Sequence, residues 1–461
     1  MQKRKQGYEI DMLNGPLAGK ILLFALPLML SSLLQLLFNA ADVVVVGRFA
    51  GKEALAAVGS NGSLINLFTN LFIGLSVGTN VVIARDLGAG KTEHVRRSVH
   101  TSVALSLVSG VGLMIAGVLL SRQMLELMSS PPDVIDLAAL YLKIYFLGMP
   151  AMLFYNFGAA ILRAQGDTRR PLYYLTAAGV INVVLNLIFV VPLKMSVAGV
   201  ALATIISQYV SAILVLLTLM REDGVIHVDL RALSIDWHTV KRILRVGLPA
   251  GLQSTLFSIS NVVIQSSINS FGSVVVAGSS AASNIESFIY PCANSFHQAA
   301  LTFISQNYGA GKCKRVDRIA ILCLCFGAFM SLSVGNLIYF FGEPLISLYA
   351  PGEVDVIAES MVRLGYVAAF HFLCAFMDIM VGVLRGIGHS VIPMIVSLVG
   401  SCAFRLVWIA TIFQVYTTPA CLYVSYPISW AITAMAHIIF FFAVRKRTYR
   451  QVANLNSFNN Q

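Results

Sequence analysis

The chain has 461 residues, 57% of them hydrophobic and only 11% charged, with a mean hydropathy of +0.79. This balance lies far outside soluble globular usage and marks an integral membrane protein. The formal charge of +11 invites a nucleic-acid reading, but the Lys and Arg cluster in the short stretches between apolar runs, and that distribution argues against nucleic-acid partners.

A helix of about 20 apolar residues crosses the roughly 30 Å hydrocarbon core, and twelve such runs can be marked between Leu17 and Val444. The first, 17–46, contains Pro27 and is expected to stay as a span, because no small-residue cleavage site follows it. It carries Gln35, Asn39 and Asp42, which at about 100° per residue fall within roughly 60° of one another, a single polar stripe. The second run, 54–84, contains Asn66 and ends at LGAGKTEHVRR, Leu87 to Arg97. That loop is not a phosphate cradle: G-x-x-x-x-G-K-[ST] needs a glycine five residues before Gly90, where Arg85 stands. No nucleotide is therefore expected. The glycines are expected to end a helix in a left-handed cap, with Lys and Arg holding the loop at the headgroups.

Runs at 98–120 and 137–162 lead into LRAQGDTRRP, Leu162 to Pro171. The next run, 171–193, places Asn182 and Asn186 on one helical face, and 197–219 closes the first half. The longest polar stretch follows, Arg221 to Gly247. Its Ile235, Trp237, Val240, Ile243 and Leu244 beside Lys241, Arg242 and Arg245 read as a linker ending in an interfacial amphipathic helix, or equally as a solvated connector that only tethers the halves. Six more runs complete the chain, at 246–270, 275–305, 319–341, 356–384, 390–412 and 421–444.

Landmarks recur between the halves. Leu26-Pro27 returns as Leu248-Pro249, LGAGKTEHVRR as YGAGKCKRVDR (Tyr308 to Arg318), and LRAQGDTRRP as LRGIGHSVIP (Leu384 to Pro393). Six spans per half is an even number, so equivalent loops return to the same face and the repeats are parallel. The expected fold is all-α: twelve transmembrane helices in two parallel six-helix repeats, with a first lobe over 1–220, a linker over 221–245, a second lobe over 246–445 and a tail over 446–461. With the N-terminus inside, 25 of the 32 Lys and Arg lie on the inner side, leaving Arg48, Lys52, Arg122, Lys143, Lys194, Arg363 and Arg405 elsewhere. This positive-inside bias predicts cytoplasmic termini in a plasma-membrane protein. The seven cysteines lie mostly within spans and make no metal-ligand pattern.

The Pro-containing first helix with a deep Asp, the GAGK-type loops after the second and eighth helices, and LRAQGDTRRP with LRGIGHSVIP resemble the multidrug and toxic compound extrusion (MATE) transporters over residues 15 to 445. The resemblance implies a two-lobed antiporter that exchanges organic compounds for Na⁺ or H⁺, needs no cofactor and has no catalytic residues. It also implies a cation site formed by Asp42 and Asn182-VVL-Asn186 in the first lobe. The residues themselves allow this: hard oxygen ligands suit Na⁺, and a carboxylate taken out of water can instead bind a proton. Gln35 and Asn39 extend the polar stripe. An interhelical hydrogen-bond clamp is the other reading of the same residues.

Secondary candidates are Asn66, Glu286, Asp378 and Arg405, with His297, His371 and His437 expected to pack or line a cavity. The repeat offset puts Arg405 opposite Val183 or Val184, and Asp42 opposite Val263 or Ile264. Arg405 is expected to neutralise Glu286 or Asp378. The expected partners are the bilayer and small organic, often cationic, substrates, handled by a monomer through alternating access. Two rival functions are a lipid-linked saccharide flippase and an intramembrane enzyme; the latter lacks the D-x-x-x-D cluster that would hold Mg²⁺ on a diphosphate.

Overall fold

The computed structural model describes residues 7–128 and 134–458, and these contain helices and loops but no strand. The basic Lys3, Arg4 and Lys5 and the last three residues of the expected tail lie outside the described residues. In chain order the first half comprises α1 (Leu17–Phe49), α2 (Lys52–Gly88), α3 (Thr92–Leu127), α4 (Ile135–Leu147), α5 (Met149–Gln165), α6 (Arg169–Val190) and α7 (Ser196–Arg221). After a 3-10 turn at Leu230–Ala232, the second half comprises α8 (Trp237–Asn269), α9 (Ser273–Glu286), α10 (Tyr290–Gly309), α11 (Cys313–Phe340) and the short α12 (Gly342–Ser347). It continues with α13 (Val354–Val367), α14 (His371–Gly386), α15 (Val391–Ser397), a π turn (Leu398–Ala403), α16 (Phe404–Ala410), α17 (Ile412–Val415) and α18 (Pro419–Phe458).

Each expected span coincides with one helix or with consecutive helices. Among the described residues, eight spans pass on length and hydropathy, and α4–α5 and α13–α14 are bent pairs at 46° and 43°. The other two, α8 and α9–α10, carry Gln253, Ser258 and Ser260, and Asn284, Glu286, Asn294 and His297, which lower their hydropathy. Large apolar side chains such as Leu119, Phe340 and Ile439 point outward, as lipid-facing residues must.

The duplication is visible in the backbone. The bend at Gly148 returns before His371. Positive-φ glycines recur in pairs: Gly51 (92°) with Gly272 (90°), Gly90 (68°) with Gly311 (72°), and Gly166 (103°) with Gly388 (100°). The GAGK loops are left-handed helix caps, as expected. Gly90 N–H donates to Leu87 O (3.1 Å) and Lys91 N–H to Asp86 O (3.0 Å), while Gly311 and Lys312 do the same to Tyr308 and Asn307 (3.1 and 2.8 Å). Those amides are satisfied by the helix itself and do not form a phosphate cradle.

The chain forms two compact units. Unit 1 is Met1–Ile10 with Leu30–Gly251, and unit 2 is Asp11–Met29 with Leu252–Gln461. The changes of unit fall two residues after Pro27 in α1 and two residues after Pro249 in α8. Proline removes a helical N–H and crowds the preceding turn, and in each repeat the change of unit follows it by the same two residues.

Unit 1 packs through apolar clusters built on Val46, Leu142, Phe146, Leu153 and Val200, and on Ile83, Val99, Ile161 and Val215. Small residues set the closest approaches: Gly117 leaves room for the Phe146 ring, and Gly179 for Phe38. The linker is more structured than expected. Its basic end is no separate interfacial helix; the helix starts at Trp237 and runs unbroken into the seventh span. Asp236 caps it, accepting from Thr239 Oγ1 (2.6 Å) and from the Thr239 and His238 amides (3.0 and 3.4 Å). Those bonds, the Thr239 hydroxyl first, hold the Asp236 carboxyl below the usual carboxylate range. Not every loop base serves the headgroups either. Arg170 is buried and donates to both Asp167 and Glu222, and Arg242 makes a two-pronged contact with Asp86 (2.9 and 2.7 Å).

In unit 2, α9 and α13 pack through Ala282, Ile285 and Leu364, while α8, α14 and α18 contribute Ile264, Met377, Leu422 and Tyr423 to a second cluster.

Candidate functional site

In unit 1 the first, fifth and sixth spans of the repeat bring their polar residues together. Asp42 of α1 is half-buried, while Asn186 and Asn182 of α6 are 0% and 5% exposed, so any bond they lack is not replaced by water. Asn186 Nδ2 donates to Asp42 Oδ1 and to Asn182 Oδ1 (3.3 Å). Asn182 Nδ2 donates to Thr204 Oγ1 of α7 (3.4 Å), which donates to Val200 O (2.9 Å). An ionised carboxylate only accepts, so it fixes the Asn186 amide with the nitrogen inward and the oxygen away. That oxygen is buried and has no hydrogen-bond partner among the described residues. An orphaned acceptor of this kind costs about 1–3 kcal/mol.

Among the described residues no cation acts on Asp42. The groups that act on it are the Asn186 amide and its own burial, and its charge is felt by Tyr141 and Tyr145 of α4, stacked 6.0 Å apart. The cluster is therefore a single negative charge among neutral oxygens, a donor set that fits a small hard cation or a proton. Gln35, Asn39 and Asn66 are exposed and add no hydrogen bond to it among the described residues. Sequence reasoning missed Thr204, Tyr141 and Tyr145. Their i, i+4 spacings, Tyr141 with Tyr145 and Thr204 with Gln208, were the available signal. A recess of about 630 Å³ lined by Thr92, Glu93, Arg96, Glu222, Asp223 and neighbours lies at the start of α3 and shares no residue with the cluster.

Unit 2 corrects the expectation for Arg405. Glu286 (8% exposed) pairs with Arg363 (7%), whose Nη2 and Nε lie 2.9 and 3.2 Å from the Glu286 carboxylate and whose Nη1 reaches Ser279 Oγ at 2.9 Å. The cation acting on Asp378 is Arg385, two turns along α14, and Arg385 itself donates to Gln253 Oε1 (2.7 Å). Arg405 neutralises neither acid. It donates from Nε to Ser429 Oγ (2.9 Å) and lies on the Tyr426 ring, with Cζ 4.1 Å from the centroid. The physical reason is reach: Arg363 enters from α13, the helix packed on α9, whereas Arg405 faces α18. Of the histidines, His297 contacts Asp378 O (2.6 Å), His437 contacts Pro393 O (3.2 Å), and His371 stands edge-on to Trp430.

The MatE family model matches residues 27–188 and 249–411, once in each half. The chain is 28% identical over 399 residues to the probable multidrug resistance protein YpnP of Bacillus subtilis, covering 86% of this chain and 88% of that protein. It is 28% identical over 393 residues to the probable multidrug resistance protein NorM of Thermotoga maritima, covering 84% of each. It also superposes on a solved outward-facing multidrug resistance MATE family transporter of the MOP superfamily at a TM-score of 0.89, with 25% identity, over 97% of this chain and 100% of that one. With a family match in each repeat and relatives aligned along most of its length, the chain belongs to the MATE family of multidrug efflux transporters and is not an enzyme.

Proposed function

We propose that this protein exports small organic, often cationic, compounds across the plasma membrane in exchange for Na⁺ or H⁺, with Asp42 as the coupling carboxylate and both termini in the cytoplasm. The observation that carries the reading is the Asp42–Asn186–Asn182–Thr204 chain, which combines an unpaired carboxylate with a buried Asn186 oxygen that has no partner. Na⁺ would be held by Asp42 with the oxygens of Asn182 and Thr204 and, once it displaces the Asn186 N–H from the carboxylate and that amide turns, the oxygen of Asn186. A proton would neutralise Asp42 and release the Asn186 amide to turn its oxygen inward. Either event removes the negative charge that attracts an organic cation, so substrate and coupling ion use the site in turn and alternating access moves them in opposite directions. The multidrug character of the relatives supports the substrate class.

The test is efflux of a fluorescent organic cation from proteoliposomes of the purified protein, with Na⁺ and H⁺ gradients imposed separately. One gradient should drive efflux in the wild type and neither in Asp42→Asn. Gradient-driven efflux at the wild-type rate in Asp42→Asn would reduce the cluster to an interhelical clamp.

A further inference from the structure

Around Tyr423 and Tyr426 unit 2 gathers Arg363, Arg405, Glu286 and Glu359, and their pairing is uneven. Glu286 is paired with Arg363. Arg405, 4% exposed, has no carboxylate within ion-pair distance among the described residues. Its partners are the neutral Ser429 hydroxyl, the Tyr426 face and, at 5.7 Å, the Trp430 ring, and its Nη2 is buried with no hydrogen-bond partner among the described residues. Arg363 lies 5.9 Å from the same Tyr426 centroid and adds to the positive potential. A guanidinium buried at membrane depth without its counter-charge points to a group that arrives from outside the chain.

The placement repeats that of the first lobe with its sign reversed. Arg405 follows Pro393 by twelve residues, and Asn182 follows the equivalent Pro171 by eleven. The π turn Leu398–Ala403 takes up the difference, since a π turn closes one residue later than an α turn and such turns gather at functional sites. Arg405 thus takes the frame position of Asn182. The hydrogen bonds agree: Asn182 donates to the Thr204 hydroxyl of the following helix, and Arg405 to the Ser429 hydroxyl of the following helix. The acid has no counterpart. Asp42 stands fifteen residues after Pro27, and fifteen after Pro249 stands Ile264, buried and apolar; Asn186 answers to Ile409. A frame that offers a carboxylate and amide oxygens in one lobe offers a guanidinium and no acid in the other.

We propose that Arg405 is an anion-binding site for the carboxylate of an aromatic organic acid. The oxyanion takes the open Nη2 N–H, and the ring packs on Tyr426 and Trp430. The Ser429 hydroxyl already donates to Tyr426 O (2.8 Å), so the two N–H of Nη2 alone are left for the ligand, which suits a monoanion better than a phosphate dianion. The proposal is independent of the coupling role of Asp42.

The test is equilibrium binding of radiolabelled 2-naphthoate to the full-length protein in nanodiscs, with the neutral 2-naphthamide and 2-naphthyl phosphate as competitors. Saturable naphthoate binding is expected, displaced by unlabelled naphthoate, more weakly by the phosphate and not by the amide. Arg405→Gln should weaken it by about tenfold or more while leaving the thermal midpoint unchanged or higher, because a buried charge without a counter-charge is removed. Arg405→Lys, which keeps the charge but loses the stacked plane, should fall between. The readout is naphthoate binding and not ion-driven efflux, so failure of the coupling reading would leave this one standing. The proposal is overturned by no saturable naphthoate binding to the wild type, by equal competition from the amide, by stronger competition from the phosphate, or by wild-type affinity in Arg405→Gln. Should Arg405→Gln not fold, the amide comparison and Arg405→Lys decide the question.

Discussion

At the scale of single residues the two lobes treat their buried charges differently, and this separates the effects of mutation. Asp42 has a neutral amide as its partner, so Asp42→Asn removes charge without orphaning another ion. It should reach the membrane at normal levels and reduce ion-driven efflux to background. Asp42→Glu should retain partial activity with altered ion or pH dependence, because the carboxylate moves by one methylene. Asn182→Ala and Asn186→Ala should raise the ion concentration needed for half-maximal efflux more than they weaken substrate binding. Glu286 and Arg363 are the opposite case. Arg363→Met leaves a buried carboxylate uncompensated and should cost about 3–5 kcal/mol, most of it recovered in the double variant Arg363→Met/Glu286→Leu. Thermal unfolding of the two single variants and the double variant checks this; equal loss in the double would show that the pair is not the origin of the cost.

At the scale of elements the repeated glycines are set by backbone demand, but they are not equally sensitive. Gly90 has φ +68° and open space around a notional Cβ, so Gly90→Ala should carry only the left-handed penalty of about 1–2 kcal/mol. Gly166 has φ +103°, and a Cβ there would stand 2.6 Å from Ile10 O, so Gly166→Ala should be the more destabilising of the two in a thermal melt. Two G-x-x-x-G runs tell a similar story inside unit 1. Gly74 and Gly78 of α2 meet Gly247 and Gly251 of α8 so closely that Cβ atoms at Gly247 and Gly251 would lie 2.6 and 2.7 Å from the Cα atoms of Leu75 and Leu71. Gly78→Val should therefore cost about 1–3 kcal/mol by overpacking, whereas Gly112→Val, with nothing within 4 Å, should be near neutral.

At the scale of the whole molecule the proposed topology can be tested with surface thiols. Lys91→Cys, in the first GAGK loop, and Lys314→Cys, two residues past the second, should react only with reagent supplied from the cytoplasm, and Lys194→Cys and Glu353→Cys only from outside. Arg170 is unsuitable although it is a loop base, because it is buried against Asp167 and Glu222. Labelling of Lys91→Cys in intact cells by an impermeant maleimide, against a Cys313→Ser background, would contradict parallel repeats with cytoplasmic termini.

What the sequence determined by itself is what composition and spacing encode locally. Apolar runs of membrane length marked the spans, and their even number per half made the repeats parallel. Paired Pro and Gly landmarks placed the helix caps, and helical spacing alone put Asn182 and Asn186 on one face. The tertiary structure decided which partners meet across long separations, where no local signal reaches. Asp42 and Asn186 lie 144 residues apart, and their contact rested on family resemblance until α1 and α6 were seen to converge. Thr204 is easily passed over because a threonine in an apolar helix reads as packing, and only its spacing to Gln208 marks the face as polar. Glu286 had two candidate cations, and only the packing of α13 on α9 selects Arg363. The counting frame put Arg405 opposite a valine; the π turn before it, packed on α18 where Gly400 meets Thr433, shifts the register by one residue and gives it the place of Asn182, and no spacing in the chain announces that turn.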